Sequence, residues 1–537
     1  MTSTLEAPTG LLGSRSRRFA ALAVICLAEL LVVLDNTIVN VALPSIGVDL
    51  HTGVSGLQWV VDAYTLTFAG LLLACGNLGD RYGRRRVMVI GLVGVGVMSV
   101  AGANAETLGQ VIAARAAMGV FAAAVFPATL ALIINIFTDV RERALAIAAW
   151  TAMAGFAIAI GPMSGGWLLE HFSWHSVFWI NVPVAAVAVV ATLALVPESK
   201  ASSVGRLDPL GIGLSIAGIT LLVWSIIEAP EHGWTSATTL GGIAVAAALL
   251  VAFVLWELRT PTPILDMTLF RNRRFSLPAL AIAIAYFSMF GFLFLITQYF
   301  QGVREYTPFE FGVASLPFAV SVAVGAPIAT LLAQRVGTAA VIVFGLLLTG
   351  LGLYLGGQVT VDSSYLTGVL PSMVSMALGL AIVQGPATES IMSSLPLDEA
   401  GAGSAVNDTT REIGGTLGVA VLGSIVASYY ASTIAPVVNR VPDSFMNEDE
   451  KGFARATVLS VLEIRKREIP AILEPQREHL ITAMKTTVLH GSHTASLVAA
   501  GAVLVCALVV AVFLPWAPSG GDSVLLAWRT DEADSEE

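Results

Sequence analysis

Apolar residues in this chain gather into blocks of about 20, the length an α-helix needs to cross a hydrocarbon layer about 30 Å thick. The blocks are unbroken rather than alternating, so they predict bundled helices and not the strands of a β-barrel. Fourteen are legible: Phe19 to Leu43, Leu57 to Gly76, Val87 to Asn104, Leu108 to Phe137, Ala144 to Leu169, Ser176 to Val196, Leu210 to Ile227, Leu240 to Leu258, Leu277 to Tyr299, Phe311 to Ala333, Ala339 to Gly357, Leu366 to Met392, Ile413 to Thr433 and Ala495 to Leu514. The expected fold class is all-α integral membrane, with 14 transmembrane helices.

Composition agrees. Of 537 residues, 56% are hydrophobic and 12% charged, whereas a soluble domain carries about 25% charged residues. An even number of spans places both termini on one side, and the positive charges say which. Of 28 Lys and Arg residues, 18 fall at the termini and in alternate loops, among them Arg15, Arg17, Arg18, Arg81, Arg84, Arg85, Arg86, Arg206, Arg335, Arg411 and Arg529. That side is expected to be cytoplasmic. The opposite short loops hold only Arg304, while Arg115 lies within a span and eight more sit in a loop at about 435–490. That loop also carries eight acids and is too long for the charge rule, and its stretch from Glu450 to Lys485 reads as a solvated helix on a surface loop.

Other features exclude whole classes. Arg15 to Arg18 precede an apolar run too long for a signal peptide and without a small-residue cleavage site, so the first span is expected to stay. Cys26, Cys75 and Cys506 all fall in spans, which argues against a disulfide framework or zinc site. The net charge of −10, with an acidic tail from Asp531 to Glu537, points to no nucleic-acid partner. No phosphate loop, no H-E-x-x-H pair and no folded signalling domain is present, which disfavours an ATP-driven pump, an intramembrane enzyme and a sensor. Arg outnumbers Lys by 24 to 4, a composition of GC-rich bacterial genomes.

The loop after the second span reads Gly76-Asn-Leu78-Gly-Asp80-Arg81-Tyr-Gly83-Arg84-Arg85-Arg86 and resembles the G-x-L-a-D-R-x-G-R-[KR] signature of the major facilitator superfamily. Leu34-Asp35-Asn36-Thr37-Ile38-Val39-Asn40-Val41-Ala42-Leu43-Pro44 is similar to the L-D-x-T-I-V-N-V-A-L-P motif of its fourteen-span drug:proton antiporter branch. Gly161-Pro162-Met-Ser-Gly165-Gly166 resembles the G-P-x-x-G-G antiporter motif, and Trp174-His175-Ser176 and Asn181-Val182-Pro183 resemble the multidrug branch. Arg115-Ala-Ala-Met118-Gly119-Val-Phe121 matches R-x-x-Q-G-x-G only in part, departing at Met118 and Phe121.

This resemblance implies the major facilitator fold, two six-helix bundles with spans seven and eight inserted between them. The expected divisions are a cytoplasmic N-terminus 1–18, a first bundle 19–197, a linker with the inserted spans 198–260, a second bundle 261–515 that includes the extracytoplasmic loop, and a cytoplasmic tail 516–537. Arg81-Tyr-Gly83 has an echo in Arg335-Val-Gly337, where six core spans would repeat, although Gln334 replaces the aspartate. Gly76, Asp80, Arg81, Gly83 and Arg84 would form a cytoplasmic gate, with Asp80 facing a helix N-terminus.

With no ATP site, the expected energy source is a proton gradient, with no cofactor. That requires titratable groups in the membrane, where a charge costs roughly 2.5 to 3.5 kcal/mol on insertion scales. The candidates are Glu29, Asp35, Asp62, Arg115 and Asp408. One or both of Asp35 and Asp62 should pair with Arg115, for coupling or as a static salt bridge. The motif places Asp35 foremost as the coupling carboxylate, with Glu29, on a stripe with Asn36 and Asn40, behind it. Asp408 is expected near the cavity or as a helix N-cap. Asn36, Asn40, Trp59, Phe287, Phe290, Phe294 and Gln298 would contact substrate, although an aromatic stripe can equally pack against helices. The expected function is export of lipophilic cationic drugs or biocides, tetracycline-like drugs included, in exchange for protons across the bacterial inner membrane. Small-molecule drugs, protons and membrane lipids are the expected partners, with no obligate protein partner. An exporter of an endogenous metabolite or lipid would look the same.

Overall fold

The computed structural model describes residues 14–200, 208–261, 263–394, 400–443, 445–467 and 474–516, and among them there is no strand. The expectations for residues 1–13, Arg206, Arg529, the acidic tail and the side chain of Gln334 lie outside the described residues.

The first half of the chain folds into α1 (Arg15–Asp49), α2 (Val54–Tyr82), α3 (Arg84–Ala103), α4 (Leu108–Ile136), α5 (Val140–His171), and the short α6 (Ser176–Trp179) that runs into α7 (Asn181–Leu195). Then come α8 (Pro209–Ile227), a single turn α9 (Ala229–His232) and α10 (Ala237–Glu257), which make the inserted hairpin. The second half comprises α11 (Arg273–Gln298), α12 (Pro308–Ala314), α13 (Leu316–Val336), α14 (Thr338–Gly357), α15 (Leu370–Ser393) and α16 (Ala400–Val438). After α17 (Glu448–Ala456) and α18 (Val461–Lys466), α19 (Glu474–Phe513) closes the described chain.

Twelve of these segments are long and apolar enough to cross a membrane, and α2, bent by 52° between Leu72 and Ala74, makes a thirteenth when counted as one. α5, with 32 residues, has the length for the remaining expected span. α1 to α7 pack into one bundle and α11 to α16 with α19 into another, with the α8–α10 hairpin against α2 and α16. The sequence echo is visible in the backbone. Gly83 (φ +114°) ends α2 and starts α3, and Gly337 (φ +92°) does the same between α13 and α14, a conformation that a Cβ would strain.

Two expectations need correction. The helix N-cap considered for Asp408 and the loop position expected for Arg411 do not hold, because α16 begins at Ala400 and both residues lie inside it. Apolar length marks the hydrocarbon crossing, whereas a helix continues as long as its backbone bonds are satisfied. The stretch from Glu450 to Lys485 is not simply solvated either. Lys451, Phe453, Val458, Leu459 and Val461 are buried, and the segment caps the end of the molecule opposite the arginine-rich loops. Leu459 lies against Gly47 of α1 and against Gly302 in the π turn Tyr299–Val303, so one side chain touches both halves. Glu463 lies 3.5 Å from His51, while Glu305 pairs with Arg465 at 2.8 Å and Lys485 at 2.5 Å. The apolar face of α17 and the following turn supplies burial, and the charges ring it.

Candidate functional site

The site lies where α1, α2, α4 and α16 meet. α1 carries Glu29 and Asp35, α2 carries Gln58, Asp62 and Thr65, α4 carries Arg115, and α16 carries Asp408, Arg411 and Glu412. Ionised side chains in an apolar bundle must find partners there, so their hydrogen bonds separate fixed groups from available ones.

Asp35 is fully partnered. Arg115 Nη1 donates to its Oδ2 at 2.6 Å, and Asn181 Nδ2 donates to its Oδ1 at 2.6 Å. Arg115 Nε reaches the Val60 carbonyl at 3.1 Å, and its guanidinium lies 4.3 Å from the Tyr64 ring centroid. The pair ties α1, α2, α4 and α7 together. Asp62, the other aspartate considered for Arg115, is not paired with it: Asp62 is fully buried, and neither carboxylate oxygen has a hydrogen-bond partner. Glu29 is in the same condition.

On α16, Arg411 Nη1 donates to Asp408 Oδ1 at 3.3 Å, Nη2 donates to Thr388 Oγ1 at 3.3 Å, and the guanidinium lies 5.5 Å from the Tyr286 ring. Asn407 Nδ2 also donates to Asp408 Oδ1. Glu412 Oε2 is buried without a partner. The set therefore holds five carboxylates, Glu29, Asp35, Asp62, Asp408 and Glu412, against two arginines, Arg115 and Arg411. That excess can be balanced by protons or by a cationic ligand.

The remaining predicted residues divide. Asn36 and Asn40 are half-buried on α1, with Asn40 Nδ2 donating to the Asn36 carbonyl at 2.9 Å. Gln298 is buried with neither end of its amide partnered. The phenylalanine stripe turns largely toward α16: the Phe290 ring covers Gly415, Gly418 meets the Phe287 backbone, and Phe294 is fully buried. Trp59 faces the inserted hairpin, donating from Nε1 to Glu228 at 3.1 Å and packing near Ile219 and Ile226. Its position on the helix could not show that a neighbour stands there.

Gly161 and Gly165 lie against Thr37 and Ile38 of α1, while Gly166 meets the backbone of Pro308 and Phe309 and Pro162 that of Gly312. This stretch of α5 thus packs on both halves. In the arginine-rich loop, Gly83 is buried, Arg81 is exposed and Gly76 lies near Pro127. Asp80 binds Arg84, at 2.6 Å to Nη2 and 2.8 Å to Nε, instead of a helix N-terminus. Glu198 takes that place at α3, accepting the Arg85 N–H at 3.1 Å.

Sequence reasoning missed Gln58, Tyr64, Asn181 and Glu412 as site residues. Gln58 Nε2 donates to the carbonyls of Val419 and Ala420, both at 2.8 Å, across the junction of the two halves. A lone amide one turn from Asp62 on the same helical face was the available signal. Among the described residues, the side-chain hydrogen bonds between the two bundles lie midway along the helices or toward the capped end. Gln301 Nε2, for example, donates to the Val41 carbonyl at 2.9 Å.

Comparison with known proteins fits this architecture. The family described as Major Facilitator Superfamily matches residues 25–419. The chain is 34% identical over 512 residues to the multidrug efflux pump LfrA of Mycolicibacterium smegmatis, covering 95% of this chain and 99% of that one. It is 37% identical over 426 residues to the puromycin resistance protein pur8 of Streptomyces alboniger, covering 79% and 84%. Among solved structures, a bacterial homologue of the human lysosomal transporter Spinster, inward-facing and unoccupied, superposes with a TM-score of 0.59 at 14% identity, covering 94% of this chain and 100% of that one. That last likeness concerns the fold alone. The chain belongs to the major facilitator superfamily and is a secondary transporter, not an enzyme.

Proposed function

We propose that this protein exports lipophilic cationic drugs or biocides from bacterial cells in exchange for protons, with the arginine-rich end in the cytoplasm and the capped end outside. The observation that carries the reading is the pair of buried carboxylates without hydrogen-bond partners, Glu29 and Asp62, in a bundle whose arginines Arg115 and Arg411 pair instead with Asp35 and Asp408. An unpaired ionised carboxylate in low dielectric is costly, so each is neutral when no cation is near and ionised when one arrives. Competition between drug and proton for the same oxygens is sufficient to couple their movements. The multidrug and antibiotic-resistance relatives support the substrate class.

In this reading Asp35 and Arg115 form a fixed pair that holds the first bundle in shape, and Asp408 with Arg411 does so in the second. Asn36, Asn40 and Gln298 offer polar contacts to substrate, and the Asp80–Arg84 turn serves the cytoplasmic gate. The bundles divide at the boundaries expected above, 19–197 and 261–515 around the inserted hairpin. No cofactor takes part, and the proton gradient is the energy source.

The test uses purified protein in proteoliposomes with an imposed pH gradient and a fluorescent lipophilic cation. Drug should move against its own gradient and stop doing so when a protonophore is added. Transport unchanged by the protonophore, or dependent on ATP, would refute proton exchange.

A further inference from the structure

Gln58, Asp62 and Thr65 stand at i, i+4 and i+7 on α2 and so share one face. Two of them are joined to α16 of the other bundle. Besides its bonds to Val419 and Ala420, Gln58 Nε2 lies 3.4 Å from Ser424 Oγ, and the hydroxyls of Thr65 and Thr416 meet at 2.9 Å. Gly423 makes the notch for Gln58: a Cβ there would stand 2.5 Å from Nε2. Between these two clasps lies Asp62, with no exposed surface and no hydrogen-bond partner for its carboxylate.

We propose that this face is a proton-operated seam that keeps the outer side of the transporter shut, with Gln58 as its positioning residue and protonated Asp62 as the condition for closure. The inference rests on the proton-exchange reading above. A neutral carboxylic acid can remain in the dry junction between α2 and α16. An ionised one without a partner is driven toward water, and the nearest way to hydrate it is to part the seam. The proton balance is simple: Asp62 takes one proton from outside water while the seam is parted. It returns that proton to water on the cytoplasmic side when a cation enters, and no other covalent bond changes. Thr65 and Thr416 lie between Asp62 and the arginine-rich end, where that proton must leave.

The charged neighbours do not replace Asp62 in this role. Arg115 on α4 is occupied by Asp35 of α1 and by the Val60 carbonyl, and Tyr64 on α2 lies against that arginine. On α16, Arg411 binds Asp408, leaving Glu412 one turn from Thr416, and Glu29 on α1 has no partner. α8 contains no titratable residue, Glu228 and Glu231 beyond it bond Trp59 and Ser55 of α2, His232 lies against the Glu228 carbonyl, and the titratable residues of α3 are at its arginine-rich end.

Spin labels at Ser55→Cys and Ser432→Cys, near the outer ends of α2 and α16, read the seam directly. Cys26, Cys75 and Cys506 are first replaced by Ala, and distances are measured in lipid nanodiscs. The parent should show only the short distance at pH 5.5 and gain a longer one at pH 8.5. Asp62→Asn, which is neutral at both pH values, should stay short throughout. Gln58→Leu and Gly423→Ala, which weaken closure without touching the proton site, should each lower the opening midpoint by about one pH unit, corresponding to about a tenfold loss of the closed state. Opening of Asp62→Asn at high pH to the parent's extent overturns the proposal, as do unmoved midpoints in both seam variants. A parent distance indifferent to pH also overturns it, while drug–proton exchange in proteoliposomes decides the export reading independently.

Discussion

Arg115 Nη1 and Asp35 Oδ2 lie 2.6 Å apart, with their side chains 0% and 1% exposed. Breaking a buried pair by removing one partner costs about 3–5 kcal/mol, because the other charge stays behind. Asp35→Asn should therefore lower the thermal unfolding temperature in detergent, and adding Arg115→Met should recover much of the loss. A double variant no more stable than Asp35→Asn alone would show that the pair is not the reason for the burial.

Helix packing gives a second expectation. A Cβ at Gly418 would stand 2.0 Å from the Phe287 carbonyl oxygen, so Gly418→Val must push α11 from α16. Overpacking of this kind typically costs about 1–3 kcal/mol, which size-exclusion profiles after heating will register. Gly213, with nothing within 4 Å of an added Cβ, is the control. Gly213→Ala should stabilise slightly, by up to about 1 kcal/mol from helix propensity.

The cap should loosen in acid. Partial burial raises the proton affinity of Glu450, but hydrogen bonds from Arg467 and from the Asn447 N–H outweigh it and hold the carboxyl below its usual range. A carboxyl depressed in the folded state contributes stability that is present above its unfolded value and lost as pH falls through its folded one. Limited proteolysis of the cap should therefore quicken below about pH 4 and be slow at neutral pH, with unfolded Glu titrating near 4.3. In Glu450→Gln this acid sensitivity should diminish.

Much of this was legible in the sequence because it depends on local pattern. Apolar runs located the twelve or thirteen helices apolar and long enough to cross a membrane, arginines marked one end, and Gly83 and Gly337 betrayed the internal repeat through the turn only glycine adopts easily. That Arg115 would pair with an aspartate followed from the cost of an isolated arginine in the membrane, but not that the partner is Asp35 alone. What remained hidden depends on which helices become neighbours. The sequence motif favoured Asp35 over Asp62, yet Asn181 from α7 and Arg115 from α4 satisfy Asp35 and leave Asp62 bare. Trp59 reads as a site residue until the inserted hairpin is seen beside it. Burial of the cap was hidden too, since Phe453, Val458 and Leu459 are few among many charges and their partners are remote in sequence.

The central claim, that unpaired carboxylates carry the exchanged protons, is tested most directly by proton release on drug binding. Purified protein in weakly buffered detergent solution at about pH 7 is mixed with a lipophilic cation such as tetraphenylphosphonium, and a pH-sensitive dye follows the bulk. The parent should release protons in proportion to bound drug. Glu29→Gln and Asp62→Asn should each release fewer, and the double variant none, with protein amount and fold matched to the parent. Undiminished release from the double variant would contradict the account.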